Sequence, residues 1–150
     1  MKLLNWTGMG LREDSGGSGR FGASRGDRKH KGYDRLCVQG QDIIAPMSGK
    51  MIRSFPYVND KFYTGCAIWG EDFMCKLWYF EPYESLLHTY VEAGQVIGNA
   101  QDISKKYGGK MQPHVHLGLW GLHPTTLLNP ELYFGDHSID QIEKLKKNGY

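Results

Sequence analysis

The stretch that decides the fold is QPHVHLGLW, residues 112–120, which places His114 and His116 two positions apart inside an apolar run. Residues i and i+2 of a β-strand point to the same face of a sheet. If this stretch is a strand, both imidazoles enter the same space. Histidine is a poor choice for filling a core, so the pattern indicates a functional pair. The alternative is a pair of histidines that are only hydrogen-bonded or exposed.

Short apolar runs separated by turn signals occupy most of the chain, and proline marks several of their ends. The runs predicted as strands are 42–46, 49–55, 65–70, 73–80, 96–100 and 114–120, with a hairpin bend at 70–72. Many short strands at close spacing are typical of an all-β fold, mainly antiparallel, built as a small sandwich or a partly open barrel.

Two other segments differ from this strand pattern. Residues 10–32 are rich in Gly, Ser and Arg, which predicts a loop, either a linker or a wall of a site. Residues 138–147, SIDQIEKLKK, predict one short C-terminal helix, because Ser138 is a suitable N-cap and apolar residues recur on one helical face.

The composition limits the function classes. A chain of 150 residues with 40% hydrophobic and 23% charged residues is an ordinary globular protein. The net charge of +2 argues against nucleic acid as a partner, although the basic segment 20–31 could favour an anionic surface. No stretch is long and apolar enough for us to expect membrane insertion. Because no continuous apolar run precedes Arg12, we do not expect a secretory signal there. We expect a monomer.

A metal site is the first hypothesis for the histidines. His30 and Asp34 lie four positions apart around Gly32, in a segment that predicts a turn running into a strand. A catalytic zinc ion needs three protein ligands and one position for water. His30, Asp34 and one histidine of the 114/116 pair supply such a set. The other histidine would then stand beside the open position and act on the water.

Five short motifs follow one another between about residue 19 and residue 134, namely HKGYD, APMSGKM, VEAGQVIGNA, HVHLGLW and NPELYF. This ordered series resembles the lysostaphin-like zinc metalloendopeptidases, which are bacterial and phage peptidoglycan hydrolases. The resemblance implies a small antiparallel β-sandwich with a narrow groove between loops. It divides the chain into a flexible lead-in (1–18), a metallopeptidase-like domain (19–134) and a C-terminal helix or tail (135–150).

Site roles follow from the same resemblance, position by position. It makes His30, Asp34 and His116 the ligands of one zinc ion per chain, and His114 the catalytic histidine. The implied reaction is hydrolysis of peptide bonds in the stems or cross-bridges of peptidoglycan, at the bacterial cell wall.

One position departs from the family pattern. A further family histidine is expected on the strand CKLWYFEP, where this chain has Tyr79. A phenol can donate a hydrogen bond to an oxyanion, so we expect Tyr79 to take over part of that catalytic role. The alternative is that Tyr79 only packs in the groove wall. The tyrosine, together with DRLCVQG and FMCKLWYFEP, also resembles the leukocyte-derived chemotaxins, which are secreted vertebrate cytokines on the same fold.

The chemotaxin resemblance adds two expectations. It implies a disulfide between Cys37 and Cys75 with Cys66 left over, whereas spacing alone favours three buried free thiols. It also provides an alternative function, a zinc-binding module that binds a cell wall or a receptor with little or no catalysis.

Overall fold

The computed structural model describes residues 1–135, and the predicted helix at 138–147 lies outside them. The fold is all-β, as predicted, with antiparallel sheets. The strands are β1 (Glu13–Asp14), β2 (Gly17–Ser18), β3 (Ser24–Arg25), β4 (Arg28–Lys29), β5 (Tyr33–Leu36), β6 (Asp42–Ile44), β7 (Gly49–Ser54), β8 (Gly65–Trp69), β9 (Phe73–Trp78), β10 (Phe80–Pro82), β11 (Tyr90–Val91), β12 (Val96–Ala100), β13 (His114–Gly121) and β14 (Thr126–Leu128). Within the described part of the chain, three short 3-10 helices span Glu84–Leu86, Ile103–Tyr107 and Pro130–Tyr133.

Two larger sheets enclose the core. One has seven strands in the order β11-β7-β8-β9-β13-β14, with β5 also paired to β13. The other has three strands in the order β10-β12-β6. Apolar side chains from both sheets, such as Leu77 and Leu117 from the large sheet and Ile43 and Ile97 from the small one, belong to one buried cluster. Removing this apolar surface from water stabilises the sandwich.

The predicted strands are all present, but β6 and β7 belong to different sheets. The connection at residues 45–48 therefore carries the chain from one sheet to the other. The predicted bend at 70–72 does form a hairpin, because Trp69 pairs with Met74 across β8 and β9.

The N-terminal segment 1–18 contacts the sandwich. Leu3 forms a parallel bridge with Phe134, and Trp6 is fully buried with its indole N–H donating to the Val115 carbonyl at 3.0 Å. The division of the chain at residues 18 and 134 stays a prediction. Within residues 1–135, no helix is long and apolar enough to cross a membrane.

The Gly/Ser/Arg-rich segment forms two small hairpins, β1–β2 and β3–β4. Residues from these hairpins line a groove that also contains the histidine pair. Of the two predicted alternatives, the wall of a site is therefore the one that the structure shows.

Candidate metal centre and groove

Strand β13 separates core residues from groove residues by simple alternation. Val115, Leu117 and Leu119 are fully buried in the core cluster. His114 and His116, on the opposite face, both line the groove. The two imidazoles therefore enter one space, as the strand period predicts.

Strand β5 brings Asp34 to this pair. It runs antiparallel to β13 with His116 directly opposite Asp34, and the Asp34 side chain is almost fully buried. His30 lies just before β5, and its Nδ1 is 2.9 Å from the Arg20 carbonyl. Because a carbonyl only accepts hydrogen bonds, Nδ1 of His30 donates this bond, which orients the ring so that Nε2 faces the site.

Three possible ligand atoms converge at this point. Nε2 of His30 lies 3.1 Å from Nδ1 of His116 and 3.3 Å from Oδ1 of Asp34, while Nδ1 of His116 lies 2.8 Å from Oδ1 of Asp34. In a tetrahedral zinc site with bonds of about 2.0–2.1 Å, neighbouring ligand atoms are about 3.3 Å apart. The cluster therefore fits a zinc ion after shifts of a few tenths of an ångström.

Glycine at position 32 makes this convergence possible. A Cβ atom there would lie 2.6 Å from Nε2 of His116 and 2.2 Å from the Leu117 carbonyl oxygen. On the other side, the ring of Trp78 stacks on His116 at a centroid distance of 5.4 Å. The His116 ring is thus held between Gly32 and Trp78, which fixes its orientation before any metal binds.

Arg12 balances the buried charge of Asp34. Its guanidinium is 1% exposed, and it donates to Oδ2 of Asp34 at 3.0 Å and to Oδ1 of Asp14 at 2.7 Å. Burial alone would raise the pKa of Asp34, but hydrogen bonds from His116 and His30 hold it well below its usual range. Asp34 is therefore ionised, as a metal ligand must be.

His114 does not join the three ligand atoms. Its Nδ1 lies 2.8 Å from the Gln112 carbonyl oxygen, and its Nε2 is 3.7 Å from Oδ2 of Asp34, too far for a hydrogen bond. Burial lowers the pKa of His114, although the Asp34 carboxylate opposes this shift. The neutral ring therefore presents an unoccupied Nε2 lone pair beside the candidate metal centre.

Tyr79 lies in the groove because of an irregular backbone. In a regular strand it would share the face of Cys75 and Leu77, which are fully buried in the core. Its φ of +84° breaks the regular strand conformation, so that β9 ends before Tyr79 and β10 begins after it. Its ring then packs edge-on against His114, with centroids 5.3 Å apart. Burial raises the pKa of Tyr79 to about 12, so the phenol keeps its proton at neutral pH.

The Cys37–Cys75 disulfide is not formed. All three cysteines are free and buried. Cys37 follows β5, and its backbone N–H donates to the Pro113 carbonyl, just before β13. Cys75, on β9, pairs with Leu119 on β13. Pro113 and Leu119 are six residues apart (119 − 113), which is about 20 Å along a strand. A disulfide needs Cα atoms within about 7 Å.

The groove has a volume of about 540 Å³. Sequence reasoning missed several residues that line it, namely Arg12, Tyr57, Trp78, Tyr107 and Trp120. The Tyr57 hydroxyl lies 2.7 Å from the Tyr107 hydroxyl and 3.4 Å from that of Tyr79. The only sequence signal for Arg12 is its place in the Gly/Ser/Arg-rich segment predicted as a candidate wall.

Comparison with known structures gives the class of the fold, that of the lysostaphin-like peptidases. The catalytic domain of the antimicrobial peptidase lysostaphin from Staphylococcus simulans superimposes with a TM-score of 0.56 at 20% identity, over 80% of this chain and 90% of that domain. The catalytic domain of the prophage-encoded protein EnpA from Enterococcus faecalis gives 0.59 at 17% identity, over 89% and 98%.

Comparison with curated sequences gives the family. Leukocyte cell-derived chemotaxin-2 from Mus musculus is 33% identical over 106 residues, which are 69% of this chain and 68% of that protein. The chain belongs to the leukocyte cell-derived chemotaxin-2 family. Myeloid protein 1 from Gallus gallus is 32% identical over 109 residues, which are 32% of its length. No protein-family profile matches the chain.

Proposed function

We propose that the protein is a zinc-dependent endopeptidase that hydrolyses peptide bonds in the stems or cross-bridges of bacterial peptidoglycan. The observation that carries this proposal is the convergence of the candidate ligand atoms of His30, Asp34 and His116 beside the unoccupied Nε2 of His114. Bound zinc would supply a Lewis acid and lower the pKa of a water molecule.

The surrounding residues have separate roles in this proposal. His114 accepts a proton at Nε2 from the attacking water molecule and later donates that proton to the leaving amine. The Tyr79 hydroxyl donates a hydrogen bond to the substrate oxygen on which negative charge develops. The pKa directions agree with these roles, because the base is neutral and the donor is protonated near pH 7.

The peptidoglycan substrate is supported at the level of the fold. The lysostaphin domain with the same architecture is described as an antimicrobial peptidase. The groove is open at the protein surface and reaches the histidine cluster, so an extended peptide has access to it. We place the action of the protein, as a monomer, at the bacterial cell wall.

A second candidate function is a zinc-binding module with little or no turnover. Two observations favour it: the membership of the chemotaxin-2 family and the tyrosine at position 79. In this case the same groove binds a wall component or a receptor, and His114 contributes only packing.

One assay separates the two functions. The purified, zinc-loaded protein is incubated with purified peptidoglycan, and new amino groups are counted over time. We expect release that stops with a chelator and returns when zinc is restored. Binding of the protein to the wall without any new amino groups would support the module instead.

Tyr79→Phe should lower turnover while leaving zinc content and thermal unfolding unchanged. The two side chains have the same shape, so the change removes one hydrogen-bond donor, which costs on the order of 10²–10³ in rate for an oxyanion site. Tyr79→His should preserve or raise the rate, since histidine also tolerates positive φ.

Tyr63→Phe is the matched control for Tyr79→Phe. Its hydroxyl donates to the Asp102 carbonyl and is also shielded from solvent, but Tyr63 does not line the groove. The measurement is kcat/KM for amino-group release. An unchanged rate in Tyr79→Phe would assign Tyr79 to packing.

A further inference from the structure

One wall of the groove carries three cations. Arg25 and Arg28 lie directly opposite each other on the β3–β4 hairpin, and Lys31 follows the hairpin after His30. Like charges opposite each other on paired strands are destabilising. Burial, together with the neighbouring charge of Arg12, lowers the pKa of Arg25. The wall therefore has an unfavourable concentration of positive charge in the absence of a ligand.

The nearby acidic groups do not neutralise these cations. Among residues 1–135, Asp34 is the one carboxylate that lines the groove, and Arg12 and the histidines already engage it. Arg25 is partly satisfied, because it donates to the Ser18 carbonyl at 2.7 Å and lies 4.0 Å from Oδ2 of Asp34. The side chains of Arg28 and Lys31 are exposed and make no hydrogen bond or ion pair with any described residue.

The position of Arg28 and Lys31 determines what they can bind. Both line the same groove as His114 and His116, so a ligand held by them lies in the groove that contains the proposed reacting bond. The arginine fork matches a carboxylate with two parallel hydrogen bonds, and lysine adds a mobile point charge. A free carboxylate of a peptide bound in the groove offers both side chains the acceptor that they lack.

We propose that Arg28 and Lys31 bind a free carboxylate of the peptide substrate and thereby determine its class. The protein selects acidic stem peptides over uncharged glycyl bridges. Stem peptides offer such a group in the α-carboxylate of their γ-linked glutamate, whereas a run of glycines offers none. The identity of the ligand as a peptidoglycan peptide rests on the proposed function, but the carboxylate preference is a separate property of the groove.

The test uses two cross-linked stem-peptide dimers that differ at one group. One has a free glutamate α-carboxylate and the other has the corresponding amide. Their binding to zinc-loaded His114→Ala is measured by calorimetry, so that turnover does not interfere. We expect the free acid to bind about five- to tenfold more tightly, as two charge-assisted contacts of exposed groups allow. The preference should decrease as salt increases.

The same measurement on charge variants locates the preference. The double variant Arg28→Gln, Lys31→Gln should lose the preference for the free acid, so that the two dimers bind with nearly equal affinity. Lys29→Gln is the matched control, because Lys29 lies on the same strand as Arg28 and does not line the groove. It should retain the preference. Loss of the preference in Lys29→Gln would indicate only a general charge effect and overturn the assignment.

The outcomes also separate this inference from the proposed function. Equal affinity for the two dimers in the His114→Ala protein overturns the inference even if the unmodified protein cleaves both. If the His114→Ala protein prefers the free acid but the unmodified protein cleaves neither dimer, the proposed peptidase function is wrong and the groove is a carboxylate-binding site. Failure to bind either dimer overturns the inference.

Discussion

Replacing Asp34 with alanine is expected to release the zinc ion and to destabilise the protein even without metal. Asp34 supplies one of three converging ligand atoms, and it also pairs with the buried guanidinium of Arg12. Removing one member of a buried ion pair costs about 3–5 kcal/mol in the free energy of unfolding. Arg12 keeps its contact with Asp14, so we expect a loss at the lower end, about 3 kcal/mol.

His30→Ala separates the two effects of the Asp34 change. It removes a ligand atom but leaves the Arg12–Asp34 pair intact, so it should also lose zinc. In the presence of a chelator its unfolding free energy should decrease by less than that of Asp34→Ala, because no buried charge is left without its partner. Metal analysis and urea unfolding with and without chelator measure both properties. One full equivalent of zinc in either variant would remove the ligand assignment.

The sequence could predict the fold and the histidine pair because both depend on strand period. Along β13, alternate residues point to the core and to the groove, so the spacing of His114 and His116 already places them on one face. The sequence also predicted the β8–β9 hairpin, because the bend at 70–72 separates two apolar runs.

Tyr79 shows where this reasoning fails. Regular alternation would put it with Cys75 and Leu77 in the core, and its positive φ instead brings it into the groove. A single positive φ at a tyrosine leaves no signal in the sequence, because it is held by tertiary contacts. The expected Cys37–Cys75 disulfide was also wrong. It requires β5 and β9 to be neighbours, and β13 lies between these two strands.

Arg12 was missed because its role depends on contacts distant in sequence. It lies 22 residues from Asp34 in a glycine-rich segment where no period points to a partner. The backbone N–H of Arg12 bonds to the Asp34 carbonyl, which lays this segment alongside β5. A buried carboxylate needs a compensating cation, but which arginine supplies it is decided only by this pairing.

His114→Ala should lower the turnover number by about 10³-fold, within the range of about 10²–10⁴ for losing a positioned general base, while keeping one zinc per chain. His114 contributes no atom to the three converging ligands, and its Nε2 is unoccupied beside them. The expected loss is therefore in kcat, with little change in KM, because no substrate-binding group is removed. His114→Gln should behave alike, since it fills more of the buried space without providing a base.

The readouts for His114 are amino-group release from peptidoglycan, zinc content and thermal unfolding. The control is His88→Asn, because His88 is exposed, does not line the groove and has a positive φ that asparagine tolerates. It should leave all three readouts unchanged. A turnover number within about tenfold of the unmodified protein in both His114 variants would exclude this residue as the base. The proton acceptor would then have to be another group within reach of the candidate metal centre, and Tyr79, whose raised pKa keeps it protonated, could not serve.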